Sequence, residues 1–123
     1  MAIPVTQDIW NRASLRSGGP SPGPADIALA ALIRLHSITS NGGLGHAVAF
    51  LSSDDFHAAI AGFQYFGLDE VASLLEAAKL CGSDESALEL LGARYHDLVP
   101  SDAILSSALE TIYRASPSAF APF

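Results

Sequence analysis

The residues of this sequence that most often carry chemistry in proteins are four histidines, at His36, His46, His57 and His96. No two of them have the H-x-x-x-H spacing that places two zinc ligands on one face of a helix. His57 follows Asp54 by three residues, about one helical turn, so we expect these two side chains to touch. Two ligands do not hold a metal ion, and we predict neither a metal site nor a cofactor.

Nucleophilic chemistry is not indicated either. His46 lies between a Gly-Gly turn and an apolar stretch, where we expect a hydrogen-bonded structural histidine rather than a catalytic base. Cys81 has no CxxC partner, so we expect a buried small hydrophobe, and a single cysteine fits a reducing compartment. No serine stands in a G-x-S-x-G motif. The sequence therefore predicts a protein that is not an enzyme.

Carboxylates form the remaining candidate site. Three acidic pairs each fall in the first turn of a predicted helix, where the helix dipole favours negative charge. Two interpretations stay open: the acids bind a partner, or they only stabilise helix starts and keep the protein soluble. The candidate partner-binding residues are Asp54, Asp55, Asp69, Glu70, Glu76, Asp84, Glu85 and Glu89.

The charge is unevenly distributed along the chain. Residues 1–53 hold two acidic and three basic residues, a net charge of +1, whereas residues 54–123 hold eleven acidic and three basic residues, a net charge of −8. Such a surface repels nucleic acid and attracts basic protein surfaces. We therefore expect a basic protein surface as partner and no direct binding to nucleic acid.

The elements that position these residues are predicted to be helices only. No stretch alternates apolar and polar residues with period two, so we predict an all-α, single-domain, compact bundle of six or seven helices with no sheet. Residues 1–24 are expected to form a short helix and a Gly/Pro-rich loop, and residues 25–123 the helical domain. The predicted helices are 5–16, 25–39, 44–51, one from Ser52 or Ser53 to 66, 68–81, one capped by Ser83 to about 98, and one from 102 to before Pro117.

Further expectations concern packing and location. Small residues at Ala58, Ala61 and Gly62 should let a second helix approach the fourth one closely, and Phe120 and Phe123 should dock on the core.

Half of the residues are hydrophobic and only 15% are charged, which favours self-association, possible as a homodimer. No targeting or membrane-spanning segment is recognisable, so we expect a cytoplasmic protein that does not contact a membrane.

Several motifs resemble one known family. The sequence has Asn41-Gly42-Gly43 at a helix end, Ala49-Phe50-Leu51 in a short helix, an aromatic segment from Phe63 to Gly67, and an Ala/Leu-rich helix over residues 71–78. Asp8-Ile9-Trp10, Tyr113 and the segment 116–120 are similar to the ends of that family. In these features the chain resembles the DNA-mimic protein family, specifically its all-helical C-terminal domain. It departs from the pattern at Leu44, His46 and Ser52-Ser53.

The resemblance implies a function. In the best-known member, acidic side chains imitate the phosphates of DNA and occupy a DNA-binding protein. For this chain it implies a non-catalytic acidic module that binds a basic or DNA-binding protein. Two alternatives remain: an immunity protein that neutralises a basic toxin, and a helical domain whose acidic surface only confers solubility.

Overall fold

The computed structural model describes residues 5–123 of the 123-residue chain, and these residues form seven α-helices and one 3₁₀ turn. No strand occurs in that part of the chain, which confirms the prediction of a single all-α bundle. The helices are α1 Val5–Arg16, α2 Pro24–Gly42, α3 Leu44–Phe50, α4 Ser53–Tyr65, α5 Asp69–Leu80, α6 Glu85–Leu98 and α7 Asp102–Ala115, and the 3₁₀ turn is Pro117–Ala119.

Helix α2 is the central element because it packs against α1, α3 and α4. Its apolar residues occupy most of its circumference, as expected for a helix enclosed by neighbours. The sequence placed its end at Thr39, but the helix continues to Gly42. The stop is Gly43, whose φ of 87° is left-handed and whose N–H donates to the carbonyl oxygen of Thr39 at 2.8 Å.

Helix α4 approaches α2 through a glycine. At Gly62 a Cβ atom would overlap the backbone carbonyl of Ala28, so only glycine permits this distance between the two backbones. Of the small residues expected to face a second helix, Gly62 is buried, whereas Ala58 and Ala61 are exposed. The predicted close approach is therefore confirmed at one position and wrong at the other two.

Caps define the starts of α4 and α6. The hydroxyl of Ser52 accepts a hydrogen bond from the N–H of Asp55 at 3.1 Å, as predicted. The predicted cap Ser83 is wrong, because Asp84 Oδ1 instead accepts from the N–H of Ala87 at 3.1 Å. Asp and Ser are about equally good caps, so the choice between adjacent residues was not set by residue type.

The two ends of the described chain meet at one buried carboxylate. Asp26 is fully buried and accepts hydrogen bonds from Arg12 Nη2 at 2.9 Å, from the N–H of Gly23 at 2.9 Å and from the N–H of Ala121 at 2.6 Å. Three donors offset the cost of removing this charge from water. Asp26 thereby joins α1, the Gly/Pro-rich loop and the C-terminal tail.

The tail docks only in part. Phe120 is buried against Tyr113 with ring centroids 5.6 Å apart, as expected. Phe123 is 72% exposed, so the expectation that it docks on the core is wrong. Its ring instead lies under the guanidinium group of Arg12, 4.1 Å from the ring centroid, where a cation–π contact holds it at the surface.

Candidate protein-binding surface

The eight predicted acidic residues lie on the surface. Seven are exposed and one, Asp55, is half-buried. Asp55 is also the only one of the eight with an ion-pair partner among residues 5–123, since its Oδ2 lies 3.6 Å from Arg34 Nη1. Both side chains of that pair are about half exposed, so the pair contributes little stability. The other seven carboxylates are exposed and have no ion-pair partner within residues 5–123.

The antiparallel course of the helices divides these acids into two groups. Lys79, in the last turn of α5, donates to the hydroxyl of Ser53, in the first turn of α4, at 2.9 Å. The ends of α4 and α6 that carry Asp54 and Asp84 therefore lie where α5 ends, since a short loop joins α5 to α6. The acids follow helix starts, and neighbouring helix starts therefore lie at opposite ends of α5.

Asp69 and Glu70 lie at the opposite end of α5. They line a shallow depression between α5 and α6 together with Arg94, from the second half of α6. Glu76 is exposed on α5 one turn before Lys79. The acids near the starts of α4 and α6 form the larger group, which consists of Asp54, Asp55, Asp84 and Glu85. Asp69 and Glu70 form a smaller group, and Arg94 partly offsets its negative charge.

A groove of about 980 Å³ opens beside the larger group. It lies between the C-terminal part of α2, helix α3 and helix α6. Its apolar lining includes Leu44, Val48, Leu88 and Val99, and its polar lining includes His46, His96, Glu85 and Glu89. The sequence did not predict this groove, because it forms between segments that are distant along the chain.

Two residues that line the groove, His36 and Tyr95, belong to a chain of three polar side chains. His36 Nδ1 lies 2.9 Å from the hydroxyl of Tyr95, and His36 Nε2 lies 2.8 Å from Asp102 Oδ1. Burial raises the pKa of Tyr95 above its ordinary value, and the negative charge of Asp102 raises it further. The phenol therefore stays protonated. This arrangement links α2, α6 and α7, and its Tyr is a poor nucleophile.

The remaining histidines lie elsewhere. His46 is exposed and stacks on Phe50 at 5.7 Å between ring centroids, so the expected hydrogen-bonded structural histidine is His36 and not His46. His57 lies beside Lys79, with Nζ 2.8 Å from Nε2, and not against Asp54 as the sequence suggested. Within residues 5–123, no group of three His, Cys, Asp or Glu side chains has the geometry to hold a metal ion.

Cys81 ends α5 and is half-buried rather than buried, which corrects the sequence-based expectation. Its thiol donates a weak hydrogen bond to the carbonyl oxygen of Ala77 at 3.3 Å. No helix of the described part of the chain combines the length and the apolar character that a membrane crossing requires.

The fold and this surface define a small all-α protein that presents unpaired carboxylates around an open groove. Residues 23–119 match the family model described as DMP19-like protein, that is, like DNA mimic protein 19, and the chain belongs to this family. The resemblance inferred from the motifs is thereby confirmed. No curated protein and no solved structure shows significant similarity to the chain.

Proposed function

We propose that this protein binds the basic surface of a DNA-binding protein through its exposed carboxylates and has no catalytic activity. The observation that supports the proposal most directly is the set of seven solvent-exposed acids without an ion-pair partner in residues 5–123. Membership of the DMP19-like family supports the same class of partner. The residues proposed to contact it are Asp54, Asp55, Asp69, Glu70, Glu76, Asp84, Glu85 and Glu89.

The physical basis is long-range attraction. A protein that binds DNA carries lysine and arginine side chains that neutralise the negative phosphates. Carboxylates are also negative, so they attract the same lysine and arginine side chains. The net charge of −8 in residues 54–123 steers such a surface toward the acids and disfavours direct contact with nucleic acid. The proposal includes a cytoplasmic location, in which this protein would meet such a partner.

A non-enzymatic role is supported by the polar groups themselves. The ring of His36, whose Nε2 lies 2.8 Å from Oδ1 of the exposed Asp102, is joined to a tyrosine that stays protonated. A general base next to such a group has no activated nucleophile to use.

The test is capture followed by competition. The purified protein is immobilised, DNA-binding proteins that it retains from a lysate are purified, and each complex is titrated with NaCl and with duplex DNA. We expect Kd to rise about tenfold or more between roughly 50 and 300 mM NaCl, because exposed charges are screened, and we expect DNA to displace this protein. Partners that are acidic, or that bind equally well at high salt, would contradict the proposal.

Self-association is a further part of the proposal. Leu80 on α5 is 89% exposed and Leu90 on α6 is 75% exposed, so each offers apolar surface that a second copy could cover in a homodimer. Dimerisation would also present two acidic surfaces at once, which increases the apparent affinity for a dimeric DNA-binding protein.

A further inference from the structure

The groove between α3 and α6 combines apolar residues with acidic side chains on one side. Leu44, Leu88 and Val99 are buried residues of the core that also line it, and Val48 adds a half-buried apolar side chain. The two acids at this groove, Glu85 and Glu89, belong to its α6 side. An apolar floor beside a charged wall is suited to a ligand that is itself amphipathic.

Two glycines of facing helices line this groove. Gly45 in α3 and Gly92 in α6 stand where the two helices approach each other, and a Cβ atom at Gly92 would lie 3.5 Å from the Cβ of Leu44. A Cβ atom at Gly45 would lie 3.8 Å from Leu88 Cδ1, so an added Cβ at either position is in ordinary contact with the facing helix. The groove has a volume of about 980 Å³, at the upper end of the range for small-molecule pockets.

Glu85 and Glu89 are spaced for joint recognition of positive charge. They are four residues apart on α6, so their side chains lie on the same face of the helix. Both are exposed, and neither has an ion-pair partner among residues 5–123. Lysine or arginine side chains spaced by one helical turn on a ligand would meet both carboxylates.

We infer that this groove is the docking site for a basic amphipathic helix of the partner protein. The apolar face of that helix lies on Leu44, Val48 and Leu88, and its basic residues meet Glu85 and Glu89. The inference rests on the proposed function and names the part of the surface that recognises the partner. Helix-in-groove recognition accounts for the apolar floor, the charged side and the open length of the groove together.

The length of the docking helix follows from the helix that forms the groove. Helix α6 has 14 residues and is therefore about 21 Å long at 1.5 Å per residue. A ligand of about the same length covers the groove. A compact apolar molecule would fill the floor but leave both glutamates without a partner, so the chemistry favours the helix.

The probe is a fluorescent amphipathic peptide of about 14 residues with leucine at i, i+3, i+4 and i+7 and lysine on the other face. Fluorescence anisotropy measures its Kd for the full chain, and NMR follows the ring signals of three histidines. We expect the signals of His46 and His96, which line the groove, to shift, and the signal of His57 on α4 to stay unchanged. A peptide with glutamate in place of lysine should not bind.

Matched variants separate the groove from general charge. Ala49→Trp fills the groove from an exposed position of α3, and we expect Kd to rise about tenfold, whereas Ala58→Trp at an exposed position of α4 leaves Kd unchanged. The double variant Glu85→Gln/Glu89→Gln should raise Kd about fivefold. The variant Asp97→Asn/Glu110→Gln removes the same charge outside the groove and should change Kd by less than about twofold.

The outcomes distinguish the inference from the proposed function. Three results would overturn the groove as a docking site for a helix. The two double variants could have equal effects, or the NMR signal of His57 could shift. An apolar dye could also displace the peptide while substitution of Glu85 and Glu89 has no effect on its Kd. In that case salt-sensitive binding to a DNA-binding protein would still stand. Loss of salt-sensitive binding with an intact peptide response would overturn the proposed function and leave the groove.

Discussion

At the scale of single residues, the most informative group is Tyr95–His36–Asp102. The sequence directed attention to His46, because it adjoins a Gly-Gly turn, and gave His36 no role. The partners of His36 are 59 and 66 residues away along the chain, and no local pattern marks such contacts. Short-range spacing can predict a histidine that touches its own helix, but not one that joins three helices.

The Tyr95→Phe variant tests this group through stability. Removal of the hydroxyl leaves His36 Nδ1 without its partner, and we expect the free energy of unfolding to fall by about 1–2 kcal/mol near pH 8. Urea denaturation measures the change. A variant as stable as the wild type would show that the hydrogen bond to Tyr95 does not stabilise the fold.

The same variant has a predicted pH dependence. The pKa of Tyr95 is raised in the folded state above its ordinary value of 10.0, so above pH 10 the unfolded chain loses this proton while the folded protein keeps it. The wild type therefore loses up to about 1.4 kcal/mol of stability per pH unit in that range, and Tyr95→Phe does not. The difference between the two proteins should shrink between pH 8 and 11.

Tyr65→Phe provides the matched control, because that residue is exposed on α4 and the change leaves Tyr95 intact. It should retain the wild-type pH dependence. A stability difference between Tyr95→Phe and wild type that stays constant up to pH 11 would contradict the raised pKa.

At the scale of elements, the sequence predicted the helices well and their neighbours poorly. Glycine, proline and serine punctuate the chain at every helix end, and these local signals gave all seven helices with ends within three residues of those observed. Which small residue faces a partner depends on packing. Ala58, Ala61 and Gly62 look alike as small residues, yet only Gly62 is buried, against Ala28 of α2.

Gly62→Ala and Gly92→Ala form a matched pair on two helices. At Gly62 the new Cβ meets the carbonyl of Ala28, and we expect a loss of about 1–3 kcal/mol despite the better helix propensity of alanine. At Gly92 the contact with Leu44 is an ordinary 3.5 Å, so the gain in propensity should raise stability by up to about 1 kcal/mol. Thermal and urea unfolding measure both; a stabilising Gly62→Ala would refute the close approach of α2 and α4.

At the scale of the whole molecule, the arrangement of the acids and the groove depends on how the helices pack against each other. The sequence predicted the acids and their helix starts, because dipole and capping rules are local. It did not predict their division into two groups, which follows from the antiparallel course of α4, α5 and α6. The groove could not be predicted either, since its walls come from the end of α2, from α3 and from α6.

Self-association and partner binding should respond oppositely to salt. Two copies each carry a net charge of −7, so they repel at low salt, and screening lets the exposed leucines meet. We expect sedimentation velocity to show a dimer fraction that rises with NaCl and falls in Leu90→Asp. Ser106→Asp adds the same charge at an exposed position of α7 and serves as control. A dimer that dissociates at high salt would show that leucine burial does not hold it.

The buried carboxylate of Asp26 has a practical consequence for experiments on single molecules and sensor surfaces. It fixes the C-terminal tail at the first turn of α2, whereas the groove adjoins Thr39 and the residues after it, about 20 Å further along the same helix. We therefore expect a tether attached after Phe123 to leave the groove accessible. Protein immobilised through its C-terminus should then bind a partner in solution with a single Kd, and immobilisation through random lysines provides the comparison.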